Sequence, residues 1–222
     1  MPRYGPPDAH SWAERLQVSV DACELLLDAD FVDLHCDLEV PVRLLGYDPA
    51  KHHGRREKAL PFFGHTDYPR LREAGFTGIA YDIATNPVRP KGNRLQATLR
   101  NVARVKEQIE AWPDDLGLAR SHGDYLRLVA EGKTAFFLTF QGGNAISADL
   151  SVLDGTLGDD LHRITLVHLT TSDLGGTSSP LGGDPGLTGL GRELVERLNA
   201  RRIFVDLAHA GKKTFWDALA VH

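Results

Sequence analysis

The chain has 222 residues, 42% hydrophobic and 25% charged, with a formal net charge of −5. That composition suits one sizeable core, and the mild negative charge gives no reason to expect nucleic acid or an anionic membrane surface as a partner. No apolar run approaches the ~20 residues of a membrane-spanning helix, the first residues lack the apolar core of a signal peptide, and the two cysteines, Cys23 and Cys36, do not make a disulfide framework, so the chain reads as cytoplasmic.

Residues 1–9 form a Pro- and Gly-rich lead. Ser11-Trp-Ala-Glu14 matches a capping box and predicts a helix to about Leu27, with Leu16, Val20, Cys23 and Leu27 as its apolar stripe. The lead and this helix, 1–28, are read apart from a main domain over 29–222. Phe31–Asp37 predicts a first strand. Strand side chains alternate faces, which puts Asp33, His35 and Asp37 on one side and Val32, Leu34, Cys36 and Leu38 on the other. Two acids and an imidazole on one face are costly to bury without a charged partner. A divalent metal is the simplest one; a solvated edge strand is the plainer alternative.

Residues 39–66 read as a long polar loop carrying Lys51-His52-His53-Gly54-Arg55-Arg56, taken as a solvated basic run. The adjacent His52 and His53 would face opposite ways and are not expected to share a metal. A short helix is expected at Asp67–Ala74, a second strand at Phe76–Ile83 and a long helix at Asn93–Trp112. That long helix is apolar at Leu95, Leu99, Val102, Val105 and Ile109, and Pro113 stops it. A helix at Ser121–Ala130 precedes the apolar strand Thr134–Phe140, suited to burial on both faces, and then Gln141-Gly142-Gly143-Asn144. Residues 150–161 read as a loop or short helix, 163–169 as a strand, 171–189 as a Gly-, Ser- and Thr-rich loop, 191–199 as a helix, 202–209 as a fifth strand, and 212–220 as the start of one more helix.

Strand–helix alternation argues for parallel βα units. His35 and Asp37, Gln141, His168 and His209 all fall at the C-terminal ends of predicted strands. In a parallel barrel that is the face where sites are built.

Several motifs then match one family in order. They are Asp33-Leu-His35-Cys-Asp37, Thr66-Asp-Tyr-Pro-Arg-Leu-Arg-Glu-Ala-Gly75, Gln141-Gly-Gly143 and Leu166-Val-His168. The strongest is Gly186-Leu-Thr-Gly-Leu-Gly-Arg-Glu-Leu-Val-Glu-Arg-Leu-Asn199 followed by Val205-Asp-Leu-Ala-His209. Together they resemble the renal, or membrane, dipeptidase family of zinc metallopeptidases, within the amidohydrolase group of TIM-barrel enzymes. The resemblance implies an α/β fold of the (β/α)8 TIM-barrel type, with about the first five βα units present. It implies hydrolysis of a small dipeptide substrate by hydroxide held on one or two Zn2+ ions. His35 and Asp37 would bind the first ion, residue 141 would bridge both, and His209 would bind the second. His168 would act on the substrate carbonyl. Asp33 and Asp206 are read as supporting groups rather than ligands, and Cys36 as a small core residue.

Two departures from the family pattern matter. Gln141 stands where the family has a bridging glutamate, and a neutral amide cannot offset two dications roughly 3.5–4 Å apart. A (β/α)8 barrel also takes about 250 residues, so the chain reads as truncated. An open last strand would be an edge, completed by another copy in a homodimer or left exposed. The alternative to an active dipeptidase is therefore an impaired relative acting as a binding or structural module.

Overall fold

The structure is a computed structural model describing residues 8–54, 64–84, 86 and 89–222. In chain order its elements begin with α1 (Ala9–Leu16), α2 (Val20–Asp28), β1 (Val32–Cys36), α3 (Glu39–Leu45), α4 (Tyr68–Glu73) and β2 (Gly78–Ala84). They continue with α5 (Arg94–Glu110), β3 (Leu116–Leu118), α6 (His122–Ala130), β4 (Thr134–Gln141) and α7 (Thr156–Asp160). The last are β5 (Leu161–Thr165), α8 (Gly189–Arg201), β6 (Phe204–Asp206) and α9 (Lys212–Leu219). The recorded strand pairings are parallel, and the hydrogen-bonded order is β1-β2-β4-β5-β6, with β3 also on β4. This is the parallel α/β architecture that the strand–helix alternation predicts.

The chain divides into two compact units, Met1–Tyr81 with Ile109–Phe136, and Asp82–Gln108 with Phe137–His222. In the first unit β1 lies on the start of β2, and β3 lies on the start of β4. Its core is aromatic: the Tyr68 and Phe136 rings meet edge to face at 5.9 Å, and Tyr81 lies 5.8 Å from Phe136. In the second unit β5 is held between the end of β4 and β6. Ile164 and Phe140 are fully buried there, as are Leu174, Leu194 and Leu198.

Several boundaries differ from the sequence reading. The single N-terminal helix is two helices. Asp8, not Ser11, caps α1, accepting from Ser11 N at 2.9 Å, and Gln17 closes it in the left-handed region at φ 56°. Ser19 then caps α2. Leu16, expected in the apolar stripe, is exposed, whereas Cys23 is buried with Trp12. The expected 39–66 loop contains α3; Arg55 and Arg56 of its basic run lie outside the described residues. Leu99 is on the exposed side of α5, and Ala97, Asn101 and Val102 take the buried side. A sixth strand, β3, was not expected: three residues are too few to show a period.

β1, β5 and β6 are shorter than predicted, whereas β4 runs one residue further, to Gln141. β5 stops at Thr165 and β6 spans only three residues. At its start, Arg202 is the left-handed cap of α8, and at its end the Asp206 carboxylate captures Ala208 N at 2.8 Å and begins the loop.

Candidate active site

In the first unit, the β1–β2 register shifts between Asp33 and Cys36. Three steps along β1 match two along β2, so β1 carries an extra residue there. The strict alternation expected for Asp33, His35 and Asp37 therefore breaks. Leu34, expected on the same face as Cys36, is 70% exposed, while Cys36 is buried. Asp33 Oδ1 accepts from His35 N at 2.9 Å, which fixes the bulged backbone. His35 Nε2 lies 3.3 Å from Asp37 Oδ2. The other carboxylate oxygen, Asp37 Oδ1, is buried with no hydrogen-bond partner. A buried acceptor without a donor is what a bound cation would satisfy, and imidazole nitrogen and carboxylate oxygen are both zinc donors. The pair therefore fits a metal ion. Burial pushes the Cys36 thiol up to about 12, which suits a neutral packing residue.

His52 and His53 have other partners. His52 pairs with Glu73 at 3.2 Å; His53 stacks on Tyr47 and its Nε2 lies 2.7 Å from Asp48 O. The sequence reading missed Glu39, an acid in α3 that is almost fully buried and 3.7 Å from Arg43.

In the second unit, Gln141 is the last residue of β4, buried and in register with Thr165 of β5. The chain turns at once through Gly142, at φ 110° and ψ 100°, where an L side chain is strained. A Cβ on Gly143 would come within 3.0 Å of Leu174 and Leu194. The paired glycines after Gln141 are thus required by backbone conformation and close packing.

His168 and His209 each fall three residues past a strand, β5 and β6 respectively. Their rings meet edge to face with centroids 4.8 Å apart. His209 is held in the left-handed region at φ 65°. Asp206 accepts from Thr165 Oγ1 at 2.6 Å as well as from Ala208 N, so it braces the loop leading to His209. Arg163 Nη2 donates to Asp82 Oδ2 at 2.5 Å, and Arg163 Nε lies 3.7 Å from Asp206. The sequence reading passed over Asp82 and Arg163, although a charged residue inside an apolar strand was the available signal. Thr177 gave no signal at all. Among the described residues the potential donors come together in pairs, and no group of three or more His, Cys, Asp or Glu is gathered to hold one ion.

Histidines and carboxylates at or just past the C-terminal ends of parallel strands stand where parallel α/β folds build their sites. The family model for membrane dipeptidases, peptidase family M19, matches residues 20–222, and the chain belongs to that family. It is 26% identical over 213 residues to the dipeptidase verJ of Clonostachys rogersoniana, covering 90% of this chain and 54% of that protein. Its fold is similar to that of the probable dipeptidase PvdM from Pseudomonas aeruginosa, with TM-score 0.75 and 21% identity over 90% of this chain and 52% of that one. It is also similar to a metallopeptidase from Rhodobacter sphaeroides liganded with a phosphinate mimic of the dipeptide L-Ala-D-Ala, with TM-score 0.71 and 23% identity over 86% and 62% of the two chains. The chain thus spans about half the length of the curated relative it matches.

Proposed function

We propose that this chain carries metal-dependent dipeptide hydrolysis, with His35, Asp37, Gln141 and His209 as the metal-holding residues and His168 at the substrate. The observation that carries the reading is the family match over 20–222, a span that contains all five residues. The phosphinate dipeptide mimic on the Rhodobacter relative supports a dipeptide as the substrate class. Zinc is the proposed ion, with one or two bound. Bound zinc lowers the pKa of its water to about 7 and so supplies hydroxide at neutral pH. His35 and Asp37 offer the better-made donor pair, because Asp37 retains a buried oxygen with no donor. His168 is proposed to orient the scissile carbonyl and donate toward the charge that develops on its oxygen.

Two buried free thiols, Cys23 and Cys36, suit a reducing compartment such as the cytoplasm. Among the described residues no helix is long and apolar enough to cross a membrane. Self-association as a homodimer is a further part of the proposal, and sedimentation equilibrium reads it directly.

The direct test is hydrolysis of simple dipeptides by the purified chain with zinc. Activity abolished by chelator and by His35→Ala supports the reading. A chain that holds no zinc in excess metal and is unchanged by His35→Ala sinks it. The second reading, a non-catalytic relative, is favoured by one residue, the buried neutral amide of Gln141. Chelator-sensitive dipeptide hydrolysis would rule it out.

A further inference from the structure

We propose that Thr177 is a positioning residue that sets where the His168 and His209 imidazoles stand, by holding the backbone carbonyls of both. The inference rests on the reading of those two histidines as site residues. Thr177 lies in the long loop between β5 and α8 and is almost fully buried. Its Oγ1 is 2.5 Å from His168 O and 2.9 Å from His209 O. A hydroxyl has one proton, so it is shared between two carbonyls that follow two neighbouring strands. One side chain thereby couples the backbones that carry both rings.

The conformation of His209 gives the second reason. A non-glycine residue in the left-handed region persists where its surroundings over-determine it, and such residues cluster at functional sites. Here His209 O receives Ser178 N at 2.9 Å and Ser178 Oγ at 3.3 Å besides the Thr177 hydroxyl. Thr177 also forms an antiparallel bridge with Ala210, and Gly211 N donates to Gly176 O at 3.2 Å. The clamp is itself anchored. Gly176 N donates to Thr214 Oγ1 at 2.8 Å, and that hydroxyl donates to Asp184 Oδ1, also at 2.8 Å. The loop thus ties the start of α9 to the backbone of His209.

The test uses the full chain with isotope-labelled histidine, free of metal, with the two imidazole signals assigned from His168→Gln and His209→Gln. Thr177→Val keeps the shape and removes the hydroxyl. It is expected to move the His168 and His209 signals while those of His10, His122 and His222 stay in place. It is also expected to weaken zinc binding by about 10-fold, the lower end of the effect of losing a group that orients a ligand. Thr177→Ser restores the hydroxyl and should return both signals and zinc affinity to wild type. Unmoved signals with unchanged affinity in Thr177→Val, or a Thr177→Ser variant as perturbed as Thr177→Val, overturns the proposal. Should Thr177→Val not fold, Thr177→Ser decides alone: superposed imidazole signals support the clamp and displaced ones overturn it. Failure of the metal reading shows separately, as a His209 signal in wild type that zinc does not move, and the metal-free spectra still decide the role of Thr177.

Discussion

Arg163 Nη2 donates to Asp82 Oδ2 at 2.5 Å, and the Asp82 side chain has no exposure to solvent. The guanidinium also faces Asp206, whose carboxylate braces the loop to His209. Removing one partner of a buried ion pair leaves a charge with nothing to meet it, at a cost of about 3–5 kcal/mol. Arg163→Met is therefore expected to lose that much stability in urea denaturation. The double variant Asp82→Leu with Arg163→Met should recover most of the loss, because an apolar replacement of both partners leaves no orphan charge. Equal destabilisation of the single and double variants would mean that the pair is not the cause.

The start of α9 should be sensitive to acid. The cap position there, Gly211, has no side chain, and Asp184 takes over the task from a distant loop, accepting from Lys213 N at 2.5 Å and Thr214 N at 3.1 Å. Desolvation alone would raise the Asp184 carboxyl, but these hydrogen bonds outweigh it and hold the group below its ordinary value of 3.8. A depressed carboxyl contributes stability above its unfolded pKa and loses it as pH falls through its folded pKa. Asp184→Asn should therefore melt below wild type at pH 7. The gap should close as the pH drops below 3.8. A gap independent of pH would place the effect in packing rather than charge.

The Gly142-Gly143 turn should tolerate no side chain. Gly142→Ala forces an L residue to φ 110°, with an expected loss of about 1–3 kcal/mol. Gly143→Ala drives a methyl against Leu174 and Leu194, again costing about 1–3 kcal/mol. Gly189→Ala, where a Cβ meets nothing within 4 Å, is the control and should change stability by no more than about 0.5 kcal/mol. Urea titration of the three variants reads the comparison.

Metal stoichiometry should respond to residue 141. A carboxylate in place of the amide would offset charge between two dications. Gln141→Glu is expected to raise bound zinc, counted by elemental analysis, from about one ion to about two per chain. No change would mean that residue 141 does not limit the second position.

Much of the site's local chemistry is readable along the chain. Asp33-x-His35-x-Asp37, Gln141-Gly-Gly143 and the strand-end histidines stand out because polar residues interrupt apolar runs, and that contrast is local. Asp67 and Ser121, where the sequence reading begins two helices, prove to be the caps of those helices, each accepting from a backbone N–H three residues on. The bulge in β1 was not legible, because it depends on β2, more than forty residues away in sequence. Leu34 therefore ended exposed although alternation put it on one face with the buried Cys36.

By itself the sequence determined the parallel α/β class and the family, and it nominated five candidate residues, because periodicity and motif order are one-dimensional properties. Only the tertiary structure decided how those residues are held. The break in alternation at His35, the left-handed backbone of His209, and the pairing of Arg163 with Asp82 arise from contacts between strands and loops far apart in the chain. Thr177 is the clearest case: in sequence it is one more small residue in a Gly- and Ser-rich loop, and in space its hydroxyl reaches two histidine carbonyls at once.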